Sequence, residues 1–421
     1  MRVVIRVPLV AAVAAVLVLT QVSAVQAAPP PPLAIGSERA VSNARPGNTQ
    51  SGAAAAFHNG VFFVVWEETP PSGTGTQVYG ARVKPDGTVL DPNGILLSTS
   101  AFDNNIRPRV AGGGGKFLVV WERAIEGTYS DLDAALVTTG GQVQKQWGLS
   151  FGDNGQSSPD VAWNGQLFLA VWQDEPDPGD EDIYGARVLS NGLTLDGCSS
   201  DSCPAVDDVG LRIAFGSGNQ LRPIVTSTSS SMFLVAWTDQ ADPEHPTVRD
   251  TAVALNGWSL EPAGVALTQS PGAQTQPAAA SNGKTSLFAW TDLAGATSNI
   301  LATTMQPGDE SNWAPNPLQP NGIKVSTANG NQSDPAVARR LGHFVVAWTD
   351  ERSGNQDVFA ARVGILGKVL DPTGVGIATG ARQQHAPALA TSGAKVLVAY
   401  QHDVPGAPFG GRDRVFIRII S

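Results

Sequence analysis

Cysteine occurs only twice in this 421-residue chain and histidine five times. Two thiols leave room for one disulfide, or for half a zinc site that lacks its other ligands. The histidines, His58, His245, His343, His385 and His402, show no metal-type spacing such as H-x-x-x-H and stand beside no nucleophile motif. Charged residues make up 15% of the chain, acids outnumber bases 37 to 27, and no basic run exists. A nucleic acid or an anionic membrane needs clustered cations, so neither is an expected partner. No segment after the N-terminal region carries a sustained helical period with caps, which speaks against a helical fold. No second long apolar run exists either, so no membrane insertion is expected.

What is present begins with the N-terminus. MRVVIR supplies a basic stretch, VPLVAAVAAVLVLT a short apolar one, and Ala24 or Ala27 a small-residue cleavage point. This reads as a signal peptide over residues 1–27, followed by a Pro-rich linker at 28–34 and a folded region at 35–421. The expected location is secreted or periplasmic. Cleavage would remove Arg2 and Arg6 and move the formal charge from −10 to about −12. In an exported protein Cys198 and Cys203, in GCSSDSCP, are expected to form a local disulfide.

Seven apolar segments then recur. They end at Trp66, Trp121, Trp172, Trp237, Trp290, Trp348 and Tyr400, at intervals of 55, 51, 65, 53, 58 and 52 residues. Each follows a Gln-x-x-Pro type signal and precedes a third strand such as DIYGARV (Asp182 to Val188) or DVFAARV (Asp357 to Val363) and a fourth such as GIKVS (Gly322 to Ser326). Val-, Ile- and Phe-rich runs bounded by Gly, Pro and Asp are strands. A strand repeat of this period predicts an all-β, seven-bladed β-propeller of four-stranded antiparallel blades. The last repeat stops after DRVFIRI (Asp413 to Ile419), whereas Ser37 to Ser42 is a strand without a blade. The N-terminal strand is therefore expected to complete the last blade and close the ring, removing two open sheet edges.

The hairpin WTDERSGNQDVF, from Trp348 to Phe359, resembles the repeat of TolB-like bacterial propellers, which carry a similar S/D-x-R-x-G-x-x-D-I-Y pattern. WQDEPDPGDEDIY, in the third repeat, is a longer version without the Arg. The resemblance implies a propeller across the mature chain, implies a platform for protein interaction, and brings no catalytic residue.

Most repeated residues have a structural explanation. The in-phase tryptophans are expected to pack between blades, while Trp147, Trp163, Trp258 and Trp313 fall out of phase. Glu68, Asp174, Asp239, Asp292 and Asp350, each two residues after the Trp, are expected to cap their own turns. Arg82, Arg187, Arg362 and Arg418 share one phase and so belong to separate blades, unlike a sialidase-type clamp that converges on one pocket. Asp177, Asp180 and Asp182 offer oxygens for calcium without matching a strict loop motif, and calcium is the one cofactor alternative to none. Gly112 to Gly115 is a hairpin turn rather than a phosphate cradle.

Gln50, Asn105, Gln156, Gln220, Gln274, Gln332 and Gln384 start the first strands. They are expected to ring one channel mouth, mostly in a structural role, with any ligand bound on that face. The functional expectation is an exported, non-catalytic module that binds a protein or glycan. The alternative is a hydrolase or lyase acting on extracellular polysaccharide at the channel mouth.

Overall fold

Each Gln-x-x-Pro signal opens a strand, and each Trp-ending run pairs with it. In the computed structural model, residues 31–421 are described apart from 74, 101, 125–128, 152–154, 197–209, 230 and 307–316. Residues Ala34–Ser421 form one unit, separate from Met1–Leu33. The signal-peptide reading, the Cys198 and Cys203 pairing and Trp313 lie outside the described residues. Among those described there is no helix, and the strands form seven antiparallel four-stranded sheets.

Blade 6 shows the common plan. Its strands are Gln332–Arg340, His343–Asp350, Asp357–Gly364 and Val375–Ala378. The first hairpin turns at Gly342, whose φ of +77° suits a residue without Cβ. Register sets Gln332 opposite Asp350 and Asp350 opposite Asp357, so the start of the first strand and the turn between the second and third share one face. The first strands of blades 1 to 7 are Thr49–His58, Asn104–Gly113, Gln156–Trp163, Gln220–Ser229, Gln274–Ser281, Gln332–Arg340 and Gln384–Thr391. Each lies against the first strands of two neighbours, and that of blade 7 lies against that of blade 1, which closes the ring.

Closure follows the expected route. Arg39–Ala40 pairs with Arg412–Ile420 of blade 7, Arg39 opposite Ile417 and Ala40 opposite Phe416. Backbone bonds extend the zipper on both sides, from Gly36 N to Ile419 O (2.8 Å) and from Val41 N to Val415 O (3.0 Å). Two side-chain anchors add to it. Glu38 accepts from the Tyr400 hydroxyl and lies 3.4 Å from His402 Nε2 and 3.6 Å from Arg418. The buried Arg414 guanidinium donates to the carbonyls of Ser42 (3.0 Å), Ala44 (2.9 Å), Arg45 (3.3 Å) and Asn48 (3.2 Å), pinning the link between the closing strand and blade 1.

The core lies between blades. Trp66, Trp121, Trp172, Trp237, Trp290 and Trp348 are all fully buried. Trp66 packs with Ala399, Val415 and Ile417 of blade 7, and Trp348 with Leu287, Ala289 and Ile300 of blade 5. Burying such a ring removes about 150–250 Å² from water, roughly 4–6 kcal/mol at ~25 cal/mol per Å². The out-of-phase Trp147 and Trp163 are partly buried against the core shared by blades 2 and 3, whereas Trp258 is 69% exposed.

Candidate functional site

The seven amides are buried, with exposures of 0 to 7%, in the joints between blades. Gln50 Oε1 accepts from Val415 N of blade 7 (3.2 Å), and Asn105 Nδ2 donates to Thr76 O of blade 1 (3.1 Å). Gln274 and Gln332 accept from Val248 N (3.1 Å) and Ile300 N (3.4 Å) of the blade before each. Gln220 donates to Gly218 O at 2.7 Å. Gln156 and Gln384 occupy the same phase, opposite Asp174 and His402. All seven stand at or next to the start of the first strand of their blade, and none of them lines the cavity described below.

The carboxylates two residues after the Trp do more than cap turns. They do cap: Asp350 Oδ1 accepts from Arg352 N (3.0 Å), Asp239 Oδ1 from Ala241 N (3.1 Å) and Asp292 Oδ1 from Ala294 N (3.1 Å). Three of the five also receive the indole N–H of their own blade, at 3.1 Å for Trp66 to Glu68, 3.2 Å for Trp172 to Asp174 and 2.7 Å for Trp348 to Asp350, whereas the indole N–H groups of Trp237 and Trp290 have no partner among the described residues. Burial raises Asp174 to about 6 despite that bond. In blade 2 the acid phase holds Arg123 instead, which meets Asp131 at 2.8 Å and Asp133 at 3.4 Å.

The third-strand arginines are structural. Arg82, Arg187 and Arg362 each grip one aspartate with two guanidinium bonds, Asp91 (2.8 and 2.8 Å), Asp196 (2.7 and 2.6 Å) and Asp371 (2.8 and 2.7 Å). Arg418 donates to the Tyr400 hydroxyl at 3.1 Å. Asp182 is buried and paired with Arg212 at 2.5 Å, so one oxygen of the acidic loop is already committed. Among the described residues no group of three or more His, Cys, Asp or Glu side chains is arranged to hold a metal.

The channel mouth is built by residues two positions after each amide. Every first strand has a register shift there, a β-bulge in which the bulged residue takes a left-handed conformation. These residues are Gly52, Arg107, Ser158, Arg222, Gln276, Asp334 and Ala386, with φ of +61°, +52°, +52°, +53°, +56°, +52° and +50°. Six of the seven are not glycine. Such conformations cost on the order of 1 kcal/mol or more and persist only when the surroundings fix them. At four bulges the fixing group is the side chain one residue after the Trp of the preceding blade, while Asp334 N donates to Gln276 Oε1 (3.3 Å). Glu67 accepts from Arg107 N (2.8 Å), Glu122 from Ser158 N (3.4 Å), Gln173 from Arg222 N (2.9 Å) and Thr349 Oγ1 from Ala386 N (3.1 Å).

All seven bulge residues line one cavity of about 430 Å³, together with Pro159, Pro223, Pro277, Pro335 and Pro387 of the same repeat phase. Arg109 and Gln401 also reach it. Arg107 is exposed and pairs with Glu122 at 2.8 Å. Arg222 is exposed, and its guanidinium makes no hydrogen bond or ion pair among the described residues. Between neighbouring bulges Gln276 Nε2 donates to Asp334 Oδ1, while Gln276 Oε1 accepts from Thr291 Oγ1 at 2.8 Å. The residue before each proline varies, while the Gln and the Pro around it barely change, and that contrast was the available sequence signal.

Seven four-stranded sheets joined in a closed circle define a seven-bladed β-propeller. The chain matches no protein-family model and no curated protein. Among solved structures it is similar to a Trypanosoma rangeli sialidase bound to 2,3-difluorosialic acid, at 9% identity and a TM-score of 0.48. That match covers 91% of this chain and 58% of the sialidase chain. It is also similar to the β-propeller domain of the trilobed protease from Pyrococcus furiosus, at 9% identity and TM-score 0.48, over 88% of this chain and 95% of that one. A Penicillium chrysogenum α-L-arabinanase complexed with arabinobiose matches at 14% identity and TM-score 0.46, over 75% and 92%. At these identities the likeness is one of fold alone.

Proposed function

We propose that this chain is an exported, non-catalytic binding module that holds a glycan or protein partner at the bulge-lined channel mouth. One observation carries this reading. The seven bulges share one backbone conformation but present seven positions of differing side chain, Gly52, Arg107, Ser158, Arg222, Gln276, Asp334 and Ala386, to one cavity. Packing and hydrogen bonding dictate the neighbouring Gln, Pro and Trp phases; they do not dictate this one. Variable groups on a rigid, strained frame are what a recognition surface needs. The cavity volume is also within the range of ligand sites, about 300–1,000 Å³. The TolB-like hairpin at Trp348 to Phe359 supports an interaction role, and the N-terminal segment supports export.

A polysaccharide hydrolase would need a second carboxyl group about 5–9.5 Å from the first. Asp334 is the carboxylate that lines the cavity among the described residues. The test replaces bulge residues (Ser158→Trp, Ala386→Trp) in one variant and opposite-face turn residues (Leu193→Asp, Trp258→Asp) in another. Each is then screened against an oligosaccharide array and a panel of extracellular proteins. Binding lost only in the first variant is the expected result. Binding lost only in the second would refute the mouth as the site.

A further inference from the structure

We infer that the ligand of this mouth is an acidic carbohydrate, with its carboxylate on the Arg222 side and its hydroxyl groups on the Gln276–Asp334 side. The inference rests on the mouth being the binding face and adds the chemical class of what binds there.

The charge pattern comes first. The chain is acidic overall, at −10, yet the cavity is lined by three arginines, Arg107, Arg109 and Arg222, against one carboxylate, Asp334. Arg107 is matched by Glu122 at 2.8 Å, so the positive charge of the mouth rests on Arg109 of blade 2 and Arg222 of blade 4, while the lining carboxylate comes from blade 6. The third-strand arginines Arg82, Arg187 and Arg362 have built partners: Asp91, Asp196 and Asp371 each lock one guanidinium in place. Arg222 departs from that habit. It is exposed, lines the cavity and has no partner side chain among the described residues, while its backbone N–H is fixed by Gln173. A guanidinium fork on a rigid backbone, left open toward a cavity, is suited to bidentate recognition of a carboxylate.

The Gln276–Asp334 side explains why the ligand is a sugar rather than an acidic peptide. Gln276 and Asp334 are hydrogen-bonded to each other and fixed on adjacent bulges, and Ser158 lies on the bulge beside Arg222. Together they give amide, carboxylate and hydroxyl groups that both donate and accept, matching vicinal hydroxyls.

The experiment is calorimetric titration of the whole protein with a uronate trisaccharide, such as trigalacturonate, and with its neutral counterpart, trigalactoside. It is repeated with Arg222→Ala, Arg222→Lys and the mouth-filling Ala386→Trp, with thermal melting as a check on folding. Because Arg222 is exposed and unpaired, its replacement should leave the melting temperature unchanged. The expected result is binding of the uronate at least 10-fold tighter than the neutral sugar. Arg222→Ala should cancel that preference, Arg222→Lys should restore part of it, and Ala386→Trp should block both ligands. Equal affinity for the two sugars, or a preference that survives Arg222→Ala, overturns the acidic-ligand inference while leaving the mouth as the site if Ala386→Trp still blocks. No binding of the uronate at millimolar concentration also overturns it. Uronate binding untouched by Ala386→Trp overturns the mouth itself.

Discussion

Asp250 breaks the repeat, and its replacement should stabilise the protein. The residue sits in the third strand of blade 4, opposite Ala236. At this position the other blades carry Gly80, Ala134, Gly185, Ala302, Ala360 and Ile417. Asp250 is fully buried and neither carboxyl oxygen has a hydrogen-bond partner among the described residues. Burial holds its pKa well above the ordinary carboxylate value, so the native state keeps the proton while the unfolded chain gives it up above about pH 4. The native state then binds more protons than the unfolded one, and stability falls as pH rises, by up to about 1.4 kcal/mol per pH unit, until the folded group ionises. Leaving a polar group buried without a partner costs about 1–3 kcal/mol by mutational measures. Asp250→Ala, which five of the other blades approach in side-chain size, should therefore gain about 1–3 kcal/mol at pH 7. In a unit of this length that is roughly 1–4 °C in melting temperature. Tryptophan fluorescence melts at pH 4.5, 6 and 8 would read it. The gain should be smallest at pH 4.5 and grow toward pH 8. A loss of stability at pH 7, or a gain independent of pH, would refute the reasoning.

Other outcomes follow from the same structure. Deleting residues 33–45 removes the closing strand and the carbonyls held by Arg414, so the whole ring should melt earlier in one cooperative step; an unchanged melt would disprove closure. Arg414→Leu leaves that strand but strips four carbonyls of their donor, and should cost about 3 kcal/mol in denaturant titrations. Burial raises Asp133 and Asp174 to about 6, which favours the native state at low pH, whereas the His402 bond and its neighbours lower Glu38 to about 2 and favour the native state above its unfolded pKa. Stability should thus rise as pH falls from 7 to about 4.5 and decline below that, so a maximum at pH 8 would contradict the assignment. Thiol labelling of unreduced protein should find Cys198 and Cys203 blocked as a disulfide, and two reactive thiols would exclude it.

The ring itself was legible because its signals are periodic. Trp phase and Gln-x-x-Pro phase each report a contact that recurs around the ring, and the surplus first strand matches the one missing from the last blade. The mouth was hidden for a specific reason. Strict alternation puts Arg107 or Arg222 on the same side as Asn105 or Gln220, inside the blade joint. The bulge inserts one residue and turns these side chains into the channel instead. A residue before proline is ordinarily extended, so the left-handed conformation was not readable from local preference. It depends on Glu67, Glu122, Gln173 and Thr349, which act from the neighbouring blade. Asp250 likewise shows itself as an exception only once register aligns it with Ala302 and Ala360.

The zipper of residues 34–41 onto 412–421 also bears on how the molecule is made. The closing strand must wait for a partner at the far end of the folded region, and the circle cannot close before that partner is in place. Six blades can form as they emerge, yet the joint between the first and the seventh depends on a loop spanning nearly the whole polypeptide. Contacts of such long separation are slow to form, and until they do both lateral edges stay open to other chains. Pairing of these two strands, rather than the folding of any single blade, therefore sets the moment at which both lateral edges are closed.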